Sequence, residues 1–593
     1  MACSRLPFAA AIAGAALLLA SEPFSPAGAQ TPAVPPSTPN VYGPGILFAF
    51  SGLDGRTPWT APFVATTTGD EVGLQFRLPA GQTLRIRLPD HGLEALRFRA
   101  VTNNLVLADV PGDNVPMVIT FASSKVVVGR VPAGGSASLE GRGDAVLMLE
   151  AEGRRTRFAV GYDPGGGRRS ADLAAEGLRA SLDTLVEAHL DFYAALPKPT
   201  GQMPTLESLA LAKAFSVMKA NVYSAEPPLG RRSITPARWP VGRIGLWETA
   251  AGAVALTHLD VALAKEVLEA VYAFQADDGF LPGTMAPAAR SDVSGPPMLA
   301  WSAWQVYVRD KRRDRSFLEH SHDAASRLVV WYMKKRRVGG EPPPEKSLEY
   351  GTPLYAWASA AESGRSGSPR FADGADFAAI DLSCYLADEC RTLQHMAQAL
   401  GFREIAKTWD RRASAIEAAA RERLWDPDRG FFFDRRGPDG PWSDAWSSDA
   451  WLALWSGVAT AEQAERLVAH LAAGGKFAAP LPVPTVPRDD PAYARAVWCG
   501  PTSPAMNALL VRGLERYGHA AEAARLRAQT IESVAQWYGR TGVLYEFYDA
   551  DGTAAPTTLT RSVPPAPNAP AQVIGDYLPT AAALADLMLA PGP

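Results

Sequence analysis

A set of loops that combine aromatic and acidic residues is the feature of this sequence most suggestive of chemistry. The loops are SITPARWPVGRIGLWETA (233–250), DDGFLPGTM (277–285), SGPPMLAWSAW (294–304), ESGRSGSPRF (362–371), VWCGPTSPAMN (497–507) and LYEFYDADG (544–552). Aromatic faces stack on the C–H-rich faces of sugars, and carboxylates and arginines bind hydroxyl groups. If folding brings these loops to one end of a domain, they would line a crater with the chemistry of a carbohydrate site.

Helices must position these loops. From residue 171 onward apolar residues recur at helical spacing, as in ADLAAEGLRASLDTLVEAHLDFYAAL (171–196), IDLSCYLADECRTLQHMAQALG (380–401) and YLPTAAALADLML (577–589). No short repeat with a fixed consensus occurs, which disfavours a TPR-like solenoid. About a dozen helices joined by Gly/Pro-rich loops suit a closed toroid of paired helices, (α/α)6, with an open helical array as the alternative.

The segment from Val41 to Tyr162 has a different pattern. Short runs alternate apolar and polar residues, as in VGLQFRL, LRIRL, VPMVITF, KVVVGRV and AVLMLEA, and Gly, Pro, Asp and Asn separate them. This pattern is typical of an antiparallel β-sandwich. The predicted fold class is therefore α+β and multidomain, with a β-sandwich over 41–162, a linker and helix over 163–205, and an (α/α)6 toroid over 206–593.

The N-terminus has the features of a secretory signal peptide. Arg5 precedes the apolar run LPFAAAIAGAALLLA, and an A-x-A cleavage site follows at Ala27–Ala29. We expect residues 1–29 to be removed, residues 30–40 to form a Pro-rich leader, and the protein to be exported to the periplasm or secreted. No later run of about 20 apolar residues occurs, so no membrane span is expected.

The cysteines predict free thiols. Cys3 leaves with the signal peptide, and the remaining Cys384, Cys390 and Cys499 are an odd number that cannot all pair within the chain. Cys384 and Cys390 lie six residues apart on one predicted helix and so on different faces of it. We expect all three to be buried and unpaired.

Several other function classes lack support. The net charge of −4 and the absence of a basic stripe argue against nucleic acid as a partner. The eight histidines form no H-x-x-x-H or H-E-x-x-H pattern, so neither a metal nor another cofactor is expected. Ser216–Lys219 fits S-x-x-K without its companion motifs and indicates a helix turn. The sequence does not define an oligomeric state.

Six short motifs carry a specific resemblance. They are Leu246-Trp247-Glu248-Thr249, Gln275 to Pro282 (QADDGFLP), Gly295-Pro296-Pro297, Ile380-Asp381-Leu382, Trp498-Cys499-Gly500-Pro501 and Glu546-Phe547-Tyr548-Asp549. Their order and spacing resemble those of the (α/α)6 glycosidases, namely trehalases (family 37) and glycoside hydrolase family 63, including mannosylglycerate hydrolase-like proteins. The resemblance extends from about Leu206 to Leu589 and implies the toroid fold.

The resemblance also implies an inverting hydrolysis of α-glucosides or related small glycans. In inverting enzymes a carboxylic acid protonates the leaving oxygen while a carboxylate roughly 6.5–9.5 Å away activates water. The family base corresponds to Glu546, but the family acid corresponds to Ser366. A serine hydroxyl is far too weak an acid for this role, and loss of general acid catalysis typically costs about 10²–10⁴-fold. Glu362, in the same motif, is the possible substitute acid, and Glu248 could also reach into the crater.

The resemblance further predicts the residues that bind the sugar. They are Trp247, Glu248, Asp278, Trp301, Arg365, Arg370, Trp498 and Tyr548. Other departures from the family pattern fall in the same region: the family has Arg at Cys499, Trp at Ser503 and Pro579, Gln at Gly295, and Asp at Glu248. Such changes suggest a site that has been redirected or relaxed while the fold was kept.

Three functions are consistent with these residues. The first is a trehalase/family-63-like hydrolase, and the second is a non-catalytic glycan-binding pseudoenzyme of the same fold. The third is a polysaccharide lyase or other toroid enzyme that uses Tyr548 and Arg365. The β-sandwich could shape one side of the crater, bind sugar separately or anchor the protein to a surface, and Phe48–Thr57 is the segment that could reach the helical region.

Overall fold

A computed structural model describes residues 33–59, 63–70, 73–78, 81–88, 92–199, 203–339, 353–437, 439–561 and 572–589. The predicted signal peptide lies outside the described residues. Among the helices in these ranges, none combines the length and the apolar character that crossing a membrane requires.

The N-terminal region is an antiparallel β-sandwich, as predicted. One sheet has the order β1-β2-β3-β4-β9 and the other β10-β11-β8-β7-β6-β5. The strands are β1 (Leu47–Ala49), β2 (Val64–Asp70), β3 (Gly73–Arg77), β4 (Thr83–Arg87), β5 (Arg97–Val101), β6 (Leu105–Asp109), β7 (Met117–Ser123), β8 (Val126–Val131), β9 (Ser136–Glu140), β10 (Val146–Glu152) and β11 (Arg155–Gly161). Alternate residues of both sheets, such as Leu74, Phe76, Leu84 and Ile86, are buried between them, which explains the alternating sequence pattern.

Helices form the rest of the chain. They are α1 (Gly167–Leu178), α2 (Leu182–Ala194), α3 (Thr205–Ala220), α4 (Leu246–Leu256), α5 (Val261–Tyr272), α6 (Leu299–Arg309), α7 (Arg315–Lys335), α8 (Ala360–Ser363), α9 (Ile380–Leu400), α10 (Arg403–Arg423), α11 (Leu452–Ser456), α12 (Ala461–Ala469), α13 (Pro504–Arg516), α14 (Ala520–Thr541) and α15 (Leu578–Leu589). The stretch 171–196, which has one continuous helical period, forms two helices because Ser181 caps α2 by accepting the Thr184 N–H.

Six of these helices form the inner ring of an (α/α)6 toroid. Around the ring α4 packs on α6, α6 on α9, α9 on α11, α11 on α13, α13 on α15, and α15 on α4. The inner helices α4 (LWETAAGAVAL) and α15 (LPTAAALADLML) are apolar on nearly every face, whereas outer helices such as α10 have one apolar stripe. The ring closes because α15, near the C-terminus, packs on the outer helix α3 at the start of the domain.

The connections place the candidate loops at one end of the toroid. The inner helices α4, α6, α9, α11 and α13 each join the next outer helix through a short turn, such as residues 257–260 between α4 and α5. The long connections all precede inner helices: 221–245, 273–298, 336–379, 424–451, 470–503 and 542–577. Short strands brace them, namely β12 (Val222–Tyr223), β13 (Ser233–Ile234), β14 (Ile244–Gly245), β15 (Thr284–Ala286), β16 (Ala289–Arg290), β17 (Trp425–Asp426) and β18 (Phe431–Phe432). All six aromatic and acidic loops therefore lie at the N-terminal ends of inner helices.

The β-sandwich packs directly on the toroid, and the segment Phe48–Thr57 takes part in this contact. Ser51 Oγ donates to the Lys219 carbonyl at 2.6 Å, and the Gly52 N–H donates to the Val222 carbonyl at 2.8 Å. Trp59 stacks on Tyr223 with a ring-centroid distance of 3.7 Å. The sandwich therefore packs directly against the helical domain through hydrogen bonds and ring stacking.

Asp576, in the connection before α15, is the most connected residue of this interface. Its Oδ2 accepts the Leu47 N–H at 2.8 Å, Asn103 Nδ2 at 2.7 Å and Lys213 Nζ at 3.0 Å. Its Oδ1 accepts the Leu544 N–H at 3.2 Å. Asp576 and the Lys213 side chain are fully buried. One carboxylate thus joins strand β1 of the sandwich, the first toroid helix and the chain that leads to Glu546.

The three cysteines in the described ranges are buried and unpaired. Burial raises the pKa of the Cys390 thiol to about 12 and raises that of Cys499 above its ordinary value. We therefore expect the native protein to react slowly with a thiol reagent such as Ellman's reagent, because the thiolate is the reactive form. In denaturant, a count of three thiols would indicate that Cys3 has been removed with the signal peptide, and four would contradict cleavage. Rapid native labelling would show that a cysteine is accessible.

Candidate active site

Glu546 lies in the connection 542–577, at the N-terminal end of the inner ring, and its exposed fraction is 6%. The connection between α14 and α15 holds it, since the Glu546 N–H donates to the Ile574 carbonyl at 2.9 Å and the Ile574 N–H donates to Glu546 Oε2 at 3.3 Å. Arg561 forms an ion pair with the same carboxylate oxygen. Burial raises the pKa of Glu546 above its ordinary value, and Arg561 opposes this shift by stabilising the ionised form.

Glu248 is a second carboxyl group at this end of the ring. It is the third residue of α4, and its Oε1 accepts the Tyr577 hydroxyl at 3.4 Å. Burial raises the pKa of Glu248, and the charge of Glu546 raises it further. The pKa of Tyr577 is raised well above its ordinary value, first by burial and then by Glu248, so that the phenol stays a hydrogen-bond donor. Glu248, Glu546, Arg561 and Tyr577 form one cluster, which we call the carboxyl cluster.

Ser366 lies on the loop between α8 and Ile380 and is exposed. The next residue, Gly367, accepts a hydrogen bond from the Cys499 thiol at 2.6 Å through its carbonyl. A Cβ at Gly367 would lie 2.5 Å from the Val497 carbonyl oxygen and 3.6 Å from that of Arg561, so this loop approaches the carboxyl cluster closely and needs glycine there. Ser366, which the sequence resemblance places at the position of the family acid, therefore lies on a loop close to the cluster.

Arg365 and Arg370 lie beneath the Ser366 loop in a buried ion network. Arg370 donates to Asp381, Asp434 and Asp449 at distances from 2.6 to 3.0 Å, and Arg365 Nε donates to Asp449 Oδ1 at 2.8 Å. Burial alone would raise the pKa of Asp449, but the two arginines outweigh it and hold this pKa well below the ordinary range. Through these ion pairs both arginines stabilise the loop. The sequence predicted instead that they bind sugar.

Glu362, the possible substitute acid, is fully buried and paired with Arg336. Its two oxygens accept Arg336 Nε and Nη2 at 2.7 Å each, and Oε2 also accepts the Ala358 N–H at 2.8 Å. A carboxylate with its oxygens occupied in this way holds the start of the loop. The arrangement gives Glu362 a structural task and leaves it poorly placed to donate a proton.

We expect Glu362→Gln to lower stability without a specific loss of catalysis. The change leaves Arg336, whose side chain is 18% exposed, without its counter-charge. Breaking a buried pair typically costs about 3–5 kcal/mol, and the partial exposure of Arg336 places this pair at the lower end. Urea denaturation measures the change, and Glu319→Gln, which breaks the exposed pair with Arg315, is the matched control. Lost turnover at unchanged stability would instead give Glu362 a catalytic task.

Tryptophans surround the carboxyl cluster and the axis of the ring. Trp247 and Trp301 line a cavity of about 40 Å³ between α4, α6, α13 and α15, whose other walls include several alanines. Trp498 covers Arg365, with the guanidinium 3.8 Å from the ring centroid, and contacts Phe547 edge to face at 4.9 Å. Trp498 has a φ of 66°, a left-handed conformation uncommon for a non-glycine residue. Trp247 and Trp301 thus face the cavity between these four helices, while Trp498 covers the ion network.

Asp278 and Tyr548, which were also predicted to bind sugar, lie outside both the carboxyl cluster and the ion network. Asp278 is exposed, and its Oδ1 accepts the Phe280 N–H at 3.0 Å within its own turn. Tyr548 is buried, and its hydroxyl oxygen accepts the Tyr545 N–H at 3.0 Å. Burial also raises the pKa of Tyr548 above its ordinary value, which disfavours the tyrosine base that a lyase would need. Within the described ranges, no group of His, Cys, Asp and Glu residues is arranged to hold a metal ion.

Sequence reasoning missed Arg561 and Tyr577 in the carboxyl cluster, and Asp434 and Asp449 in the ion network. Asp434 and Asp449 belong to the connection 424–451, in which no motif was recognised. Tyr577 immediately precedes the inner helix α15, and this position could have identified it as a candidate. Because each long connection ends at an inner helix, the residues at the start of every inner helix were candidates.

Comparison with known proteins gives consistent matches. A sequence profile of the family described as "Mannosylglycerate hydrolase MGH1-like glycoside hydrolase domain" matches residues 244–558, more than half of the 593-residue chain. A GH63 mannosylglycerate hydrolase from Thermus thermophilus, solved with glucose, is 20% identical with a TM-score of 0.51, over 63% of this chain and 99% of that one. The same hydrolase solved with Tris and D-glycerate is 20% identical over the same shares, with a TM-score of 0.50.

A more distant match is the neutral trehalase Nth1 from Saccharomyces cerevisiae. It is 16% identical with a TM-score of 0.48, over 60% of this chain and 73% of that one. The match with the Thermus hydrolase supports the (α/α)6 toroid and the β-sandwich that precedes it.

Proposed function

The chain belongs to the mannosylglycerate hydrolase MGH1-like glycoside hydrolase family, and on this premise we propose that it is an exported enzyme that hydrolyses small α-linked glycosides with inversion. Glu546 is the general base in this proposal. The observation that carries it is the carboxyl cluster, in which Glu546 is buried, paired with Arg561 and next to a second carboxyl group, Glu248. A hydrolase needs a second carboxyl group near the base, whereas a pseudoenzyme does not.

The proposed substrate is an α-glucoside or a related small glycan. Trp247, next to Glu248 in α4, and Trp301, in α6, line one cavity and give apolar faces against which a sugar ring can stack. The glucose and D-glycerate in the structures of the Thermus hydrolase support a ligand of this class. The signal-peptide pattern of residues 1–29 supports export to the periplasm or beyond.

Turnover and stereochemistry test this function. Purified protein is given p-nitrophenyl α-glucoside, p-nitrophenyl α-mannoside, trehalose and mannosylglycerate, and the first-formed sugar is followed by ¹H NMR. On the aryl α-glycosides and mannosylglycerate, inversion predicts that the β-anomer appears first and then mutarotates, whereas trehalose should release α- and β-glucose together because its leaving glucose keeps its configuration. An α-anomer formed first from an aryl α-glycoside would contradict the proposed mechanism.

The non-catalytic glycan-binding alternative rests on Ser366. If the chain is a decayed hydrolase, the wild type turns over none of these substrates, and Ser366→Asp gains activity because it restores a carboxyl group on the loop. Tryptophan fluorescence titration with glucose measures binding separately from turnover, since Trp247 and Trp301 lie by the proposed sugar position. Binding by the wild type, no wild-type turnover and activity only in Ser366→Asp would favour the pseudoenzyme.

A further inference from the structure

We propose that Glu248 supplies the general acid that the Ser366 loop has lost, and that Glu248 and Glu546 act as the reacting pair. This inference rests on the proposed hydrolase function and deepens it. In the step, the Glu248 carboxylic acid gives its proton to the glycosidic oxygen as the bond from that oxygen to the anomeric carbon breaks. The oxygen keeps the bonding electron pair. A water oxygen attacks the anomeric carbon from the opposite face, and Glu546 takes a proton from that water.

The position of Glu248 supports this task. It lies in the first turn of α4, and its side chain folds back over Gly245, where any Cβ would overlap Glu248 Oε2. The Tyr577 hydroxyl fixes the other oxygen, Oε1. Glu248 is therefore directed into the carboxyl cluster by a glycine behind it and a phenol beside it.

The charges around the two carboxyl groups differ in the sense that the two roles require. Glu546 is paired with Arg561 and accepts the Ile574 N–H, and both contacts stabilise a carboxylate. Glu248 accepts the neutral Tyr577 hydroxyl and its own backbone N–H, and it faces the charges of both Glu546 and Arg561, of which Arg561 pairs directly only with Glu546. When two acids interact in this way, the first proton leaves the one beside the cation. The ion pair with Arg561 therefore favours the negative charge on Glu546, and we assign the shared proton to Glu248.

The Ser366 loop offers no comparable acid among its described residues. Glu362 is occupied by Arg336 and the Ala358 N–H, and Ser366 has only a hydroxyl group. Asp373 and Asp376, further along, are exposed, and Asp373 pairs with Arg436. Glu248 is one methylene longer than the aspartate expected from the resemblance, which extends its reach by about 1.5 Å.

A series of leaving groups tests the acid role separately from the base role. Aryl glycosides of the sugar that the wild type accepts are compared, from 2,4-dinitrophenyl to phenyl, with a natural disaccharide. A 2,4-dinitrophenolate leaves without a proton, whereas a sugar alcohol needs one. We expect Glu248→Gln to lower kcat/KM by about 10²–10⁴-fold on the disaccharide and far less on the dinitrophenyl glycoside.

The pH profile gives a second readout. The rate should fall as pH rises through the pKa of the acid, so the wild type should show a basic limb above the ordinary glutamate range, and Glu248→Gln should lose that limb. Glu248→Asp keeps an acid and should retain the limb with partial activity. Circular dichroism and melting temperature confirm that both variants are folded.

Each failure has its own signature. An equal loss on all leaving groups, with the basic limb intact, would mean that Glu248 only binds a sugar hydroxyl, and this would overturn the acid role while the hydrolase function stands. Absence of turnover in the wild type on every substrate, with activity in Ser366→Asp, would overturn the hydrolase function and the acid role together. Restored disaccharide cleavage in Glu248→Gln/Ser366→Asp would support an acid deficit in Glu248→Gln.

Discussion

Glu546→Gln is expected to lower kcat/KM by about 10²–10⁴-fold on every substrate, whatever its leaving group. Activation of water is needed in each case, and a glutamine amide cannot accept the proton. Stability should fall as well, because Arg561 loses its counter-charge, as Arg336 does in Glu362→Gln. Initial rates on the p-nitrophenyl and disaccharide substrates, with urea denaturation in parallel, measure the two effects.

The matched control is Glu462→Gln, which makes the same change at an exposed residue in the first turn of α12. It should leave kcat/KM unaltered. Arg561→Met should move the acid limb of the pH profile to higher pH, because Arg561 opposes the raised pKa of Glu546 and the base must be ionised to act. Turnover by Glu546→Gln at the wild-type rate would remove Glu546 from the mechanism.

Asp576→Ala is expected to have the largest effect on stability, about 3–5 kcal/mol. The change leaves Lys213 buried without its counter-charge and removes the acceptor of the Leu47 and Leu544 N–H groups and of Asn103 Nδ2. Burial lowers the pKa of Lys213 and Asp576 opposes that shift, so the loss also makes the lysine easier to deprotonate. Urea denaturation gives the free energy of unfolding.

Activity should fall together with stability in Asp576→Ala, because Asp576 directly precedes Tyr577 and binds the chain two residues before Glu546. Asp576→Asn keeps an oxygen acceptor and should lose less of both. Asp489→Ala, which breaks an exposed pair with Lys476, is the control and should leave the urea midpoint unaltered. An Asp576→Ala variant as stable as the wild type would show that the sandwich and the toroid are joined by other contacts.

The sequence by itself determined the order of the elements. The two-residue alternation of VGLQFRL and LRIRL specified a sandwich, and helical spacing over long segments specified the helices, because both periods reflect which side of a local element is buried. The short motifs placed Glu546 on the connection before the last helix and Glu248 at the start of α4. The resemblance also predicted a serine, Ser366, at the position of the family acid, a prediction that depends on residue type alone.

Only the tertiary structure decided which of these residues act together. Glu248 comes from the start of α4, whereas Glu546, Arg561 and Tyr577 come from the connection 542–577, some 300 residues later. The two segments meet because the ring closes α15 against α4. Glu362 was a candidate acid in sequence, yet Arg336 from the end of α7 occupies it. The protonation and freedom of a carboxyl group depend on burial and on the charges that face it. Those are properties of packed side chains from distant segments, so a local sequence pattern does not specify them.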